Sequence, residues 1–127
     1  MKLLKNGCWL CLAAFIGLPC VSCVTSQQSH FSRLSASCPP KPATFEIEVF
    51  QSGAPSKTYE KVSRLDVHLE KTFFISSSLA GALPALKEQA RLSGAEAIIE
   101  IHKSRSMVGE TQVYHVTAIG IRYTETK

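Results

Sequence analysis

Residues 76–101 read SSSLAGALPALKEQARLSGAEAIIEI. This stretch decides the fold, because the hydrophobic period changes inside it. Leu79, Leu83, Leu86 and Ala90 recur at intervals of four, three and four, a single apolar stripe along a helix. Ser76, Ser77 and Ser78 offer N-caps. Pro84 either sits in the first turn of a helix starting near Leu83 or kinks one starting near Leu79. Gly94 is placed to end the helix in a left-handed conformation. Past Gly94 the helical period stops, and AIIEIHKSRS is rich in β-formers.

Outward from the helix, strands are expected on both sides. FEIEVF, residues 45–50, alternates Phe45, Ile47 and Val49 with Glu46, Glu48 and Phe50, the pattern of a half-buried strand. QSGAPSK follows as a loop. From Leu65 the apolar residues Leu65, Val67 and Leu69 alternate with Asp66, His68 and Glu70. MVGET reads as a turn, and QVYHVTAIGIRYTET as a long terminal strand. The expected fold is α+β: a small antiparallel sheet in the order β-β-α-β-β, with one helix on one face, over residues 45–127.

The chain has 127 residues, enough for one domain. Its 14 Lys and Arg against 10 Asp and Glu give a net charge of +4, without the dense basic tract that tracks phosphates. Nucleic acid is therefore not an expected partner. Lys2 and Lys5 supply half of the excess, and an uncharged apolar run, Gly7 to Leu18, follows them before Pro19. That is the layout of a secretory signal peptide, and the run is short for a membrane-spanning helix of about 20 residues.

The end of this leader, GLPCVSC, resembles the lipobox of bacterial lipoproteins. Val21, Ser22 and Cys23 fit its last three positions, and Cys20 stands where Leu is usual. The resemblance implies a signal peptide over 1–22 and fatty acylation (palmitate or a similar chain) at Cys23. It also implies a place in the bacterial cell envelope, on the outer membrane facing the periplasm, since Val24 rather than Asp follows the cysteine. Cys8, Cys11 and Cys20 then serve as small hydrophobes in a discarded segment.

Residues 24–44, VTSQQSHFSRLSASCPPKPAT, are rich in Ser, Gln and Pro and carry no apolar period. They read as a flexible tether between lipid and domain, with a reach of about 60 Å. Cys38 lies in this tether, unpaired, and a disulfide-linked dimer through it is a possible partnership.

The run YEKVSRLDV, the segment LKEQARLSGAEAIIEI and the ending VTAIGIRY together resemble the small YbjQ-like and RcsF-like domains. The second group are outer-membrane lipoproteins that sense envelope stress. Their domain is held by disulfides among four cysteines, whereas residues 45–127 contain none. The first group has been described as binding heavy metals. The resemblance implies an envelope protein partner and a binding or sensing role.

Candidate chemistry centres on histidine. A turn at Val108-Gly109 would set His102 opposite His115 on the face away from the helix, with Glu100 two residues along. Opposed Cβ atoms lie about 5 Å apart, close enough to share a metal ion. Asp66, His68 and Glu70 form a D-x-H-x-E run on one strand face, read here as a polar surface. No G-x-S-x-G and no phosphate-binding Gly-rich loop occurs, so neither an enzyme nor a resident cofactor is expected. Gly120 is read as a close helix–sheet contact or a bulge. The function expected is that of a lipid-anchored envelope protein with a non-catalytic binding or stress-sensing domain. The alternatives are a metal-binding domain using His102 and His115, and a purely structural envelope lipoprotein.

Overall fold

A computed structural model describes residues 27–71 and 78–124. The signal peptide, Cys23 and the caps Ser76 and Ser77 lie outside the described residues. The elements are β1 Gln27–Arg33, β2 Glu48–Val49, β3 Tyr59–Lys71, α1 Leu79–Ser93, β4 Ala97–Val108 and β5 Thr111–Tyr123. They form one sheet in the order β1-β3-β5-β4-β2, with the helix packed on one face. The α+β class and the helix on one face are as expected. The sheet differs in having five strands, and in joining β2 to β4 in parallel while every other pairing is antiparallel.

The helix starts at Leu79, the earlier of the two positions considered. The Ser78 hydroxyl accepts from the Gly81 amide, and Gly94 ends the helix at φ 82°. Pro84 lies inside it and has no N–H to give the Ala80 carbonyl. The stripe that meets the sheet is Ala82, Ala85, Leu86, Ala90 and Ser93, with Leu79 and Leu83 at its margin. Small residues let the helix axis approach the strands closely. Beneath them lie Leu65, Val67 and Leu69 of β3, and Tyr114, Val116 and Ala118 of β5. Gly120 completes this contact: a Cβ there would stand 2.4 Å from Ser63 Oγ and 2.9 Å from the Ala95 Cβ. Of the two buried hydroxyls nearby, Ser63 donates to Ser93 Oγ (2.8 Å) and Ser93 donates to the Ala90 carbonyl (2.8 Å).

The tether expected over 24–44 is corrected. Gln27–Arg33 forms the edge strand β1 on β3, and Phe31 packs against the core. An edge strand with one wet face needs few apolar residues, and polar ones suit an open edge. That is why the segment carries no apolar period. Residues after it bind to the C-terminal end of the helix. The Lys41 amide donates to the Arg91 carbonyl (2.9 Å) and the Arg91 guanidinium to the Lys41 carbonyl (2.7 Å). Cys38 is 5% exposed and fills the space beside Gly94, where a glycine Cβ would lie 2.6 Å from the Cys38 Cβ. The thiol is thus part of the core, and the folded domain withholds it from a disulfide-linked dimer.

The strand expected over FEIEVF shrinks to Glu48–Val49, although its alternation holds: Ile47 is buried with the main core. Phe50 turns to the other side of the sheet and joins Ala97, Ile99, Ile121, Tyr59, Ile119 and Tyr123 in a smaller cluster. Among the described residues no helix is long and apolar enough to cross a membrane.

Candidate metal centre

Side chains on a strand alternate between faces, so Asp66 and His68 of β3 point together away from the helix. β5 lies directly beside β3, and its register sets His68 opposite His115 and Asp66 opposite Thr117. The three ligand-bearing side chains converge. His115 Nε2 lies 2.8 Å from Asp66 Oδ1, and His68 Nε2 lies 3.0 Å from the same oxygen. The two imidazoles stand face to face, with centroids 3.9 Å apart and planes tilted by 37°. One ligand atom from each residue lies within 4.8 Å of the others.

A carboxylate only accepts hydrogen bonds, so the His115 contact places a hydrogen on its Nε2. Both rings bring Nε2 close to the same carboxylate oxygen. A zinc-like ion bound at about 2.0–2.2 Å from each donor would hold ligand atoms roughly 3.3 Å apart in tetrahedral geometry. The two nitrogen–oxygen spacings, 3.0 and 2.8 Å, are already near that, and all three ligand atoms lie within 4.8 Å of one another. Metal entry would move the His115 Nε2 proton to Nδ1 or to solvent and exchange its hydrogen bond for coordinate bonds from the three side chains. All three side chains are partly open, 20% for Asp66, 39% for His68 and 34% for His115, so an ion can reach them from solvent.

The pairing expected between His102 and His115 is corrected. The turn is Gly109-Glu110, which pairs Val108 with Thr111, Ser104 with His115 and His102 with Thr117. A bulge between Ile99 and His102 then puts Glu100 at φ 52°, and its carboxylate accepts from Lys61 Nζ at 2.6 Å. Glu100 is committed to that ion pair. His115 remains in the candidate site, with partners from β3 instead of β4.

His68 and Asp66 were visible in sequence as a D-x-H-x-E run, but read as a wet strand face. What turns that run into a ligand set is its non-local pairing with β5. The same register uncovers a further pattern. His30 of β1 is opposite Asp66, and His102 of β4 is opposite Thr117. The chain has four histidines, and all four lie on the open face of the sheet. His30 fell in the stretch taken for a tether, so its strand face could not be read. The chain matches no protein-family model, no curated protein and no solved structure.

Proposed function

We propose that this chain is a lipid-anchored envelope protein whose open sheet face binds a divalent transition-metal ion through His68, His115 and Asp66. The observation that carries the metal reading is the convergence of two imidazole Nε2 atoms, from different strands, on one carboxylate oxygen. Imidazole and carboxylate together suit Zn²⁺, Cu²⁺ or Ni²⁺ better than Ca²⁺ or Mg²⁺, which prefer all-oxygen sets. Three protein donors leave a coordination position for water or a partner's group. The role is binding or sensing without catalysis. The anchoring part of the reading is supported by the charged, apolar and Cys-terminated leader that ends at Cys23.

Calorimetric titration of the mature protein with Zn²⁺, Cu²⁺ and Ni²⁺ tests the metal site. One ion per chain is expected. His68→Ala and His115→Ala should each weaken binding at least tenfold, about 1.4 kcal/mol, while His102→Ala should leave it unchanged. Unaltered affinity in the His68→Ala/His115→Ala double variant would remove the metal reading and favour a structural role. Intact mass of the native protein tests the anchor: it should lack residues 1–22 and include acyl chains.

A further inference from the structure

We infer that the end of the domain carrying the β4–β5 turn lies on the lipid surface, with Met107 and Val108 inserted among the headgroups. The inference rests on the anchoring of Cys23 proposed above. Three residues, 24 to 26, separate Cys23 from Gln27, the first residue of β1. Even fully extended, that connection spans no more than about 14 Å. The domain is therefore held against the bilayer, and the remaining question is which end it presents.

The register answers it. Gln27 is opposite Leu69, which is opposite Tyr114, which is opposite Arg105. From Gln27, β1 runs away from the β4–β5 turn toward Arg33, beside Ser63. The N-terminal end of β1, to which the connection from Cys23 joins, thus lies at the turn end of the sheet. The turn lies some three residues beyond the Gln27 row, about 10 Å along the strand direction. A lipid-linked Cys23 is therefore within about 14 Å of the turn end of β1, a reach that takes in the level of the turn.

The surface at that end fits a bilayer. Among the described residues only Leu34, Met107 and Val108 are large apolar side chains left mostly exposed, and two of the three are the last residues of β4. Met107 is 63% exposed and Val108 67% exposed. β2 pairs with β4 only at Ala97 and Ile98, so the distal half of β4 has its outer edge uncovered. Lys103 and Arg105 stand on β4 behind the tip, Arg105 over the Tyr114 ring at 5.7 Å, where anionic headgroups would meet them; Glu110 is the acidic residue of the turn. The third exposed apolar residue, Leu34, follows β1 at the opposite end of the sheet, and Ser52, Gly53 and Ala54 of the loop after β2 lie beside Ile99 and Ile101, about 20 Å back from the tip.

The single tryptophan of the chain, Trp9, lies in the leader. A tryptophan placed in the mature protein is then a unique reporter. The full-length protein is expressed as Val108→Trp and as Ser52→Trp, recovered from membranes, and reconstituted in phosphatidylethanolamine–phosphatidylglycerol vesicles with brominated acyl chains. Tryptophan fluorescence at position 108 should be quenched at least twofold more than at position 52. Equal quenching overturns the inference, as does a position-108 signal that is shielded from aqueous iodide in native membranes but not quenched in vesicles, which would indicate a protein partner. Met107→Trp replaces Val108→Trp if circular dichroism shows the latter misfolded. Intact mass reads the anchor separately. An unacylated protein still quenched at position 108 refutes the anchor and supports the docking; an acylated protein with equal quenching does the reverse.

Discussion

Single atoms decide much of this domain. Gly120 is irreplaceable because the helix–sheet contact leaves no room above it. Gly120→Ala drives a Cβ against Ser63 Oγ and the Ala95 Cβ. Overpacking of this kind costs about 1–3 kcal/mol, to be read as a lowered urea midpoint with an unchanged slope. Tyr123 provides a separate check at the other end of β5. Its hydroxyl donates to Glu48 Oε2 at 2.8 Å, tying β5 to β2. Partial burial and the adjacent Glu48 carboxylate push its ionisation from 10.0 up to about 12. A folded-state value above the unfolded one means the contribution to stability is complete below pH 10 and disappears as pH rises toward 12. Ultraviolet titration should show a late-ionising component, and Tyr123→Phe should abolish it.

At the level of elements, the helix carries an evident cost. Pro84 is exposed and interior, so it removes a backbone hydrogen bond without burying anything in exchange. Pro84→Ala should raise stability by about 1–2 kcal/mol, the helix gain being offset in part by a more flexible unfolded chain. Thermal or urea unfolding that shows a loss instead would mean that the ring shapes the helix for the sheet. β1 is the element whose importance the sequence conceals most. It covers one edge of β3 and brings Phe31 to the core. Deleting residues 27–36 should abolish cooperative unfolding, whereas removal of a true tether would leave the denaturation curve in place.

For the whole molecule, geometry and the proposed anchoring are linked. With Cys23 acylated as proposed, the three residues before β1 would hold the sheet and its four histidines close to the bilayer and constrain its orientation. A metal ion bound by Asp66, His68 and His115 would be held at a set height above the lipid, accessible to a second envelope component from the side. The buried Cys38 contributes to this compactness, since it and Gly94 lock the chain after β1 against the end of α1. Cys38→Ser should weaken that lock and lower the unfolding midpoint, a readout that a thiol on a free tether would not affect.

The sequence by itself determined that the helix exists and where it stops, because Gly94 ends the apolar period locally; which serine caps it, and so whether it starts at Leu79 or Leu83, came from the structure. It also determined the alternation of β3 and the closeness demanded at Gly120, again from residue types read in order. Only the tertiary structure decided that Gln27–Arg33 is a strand, since an edge element with one wet face has almost no hydrophobic signature. Only the tertiary structure placed His115 against Asp66 and His68. Those residues are 49 and 47 positions away in sequence, and hairpin geometry constrains only neighbours. A one-residue shift of the β4–β5 turn, which moves the pairing by two, took His102 from opposite His115 to opposite Thr117. Ligand sets are built across strands, where the register is fixed by the packing of the whole sheet and not by any local stretch of the chain.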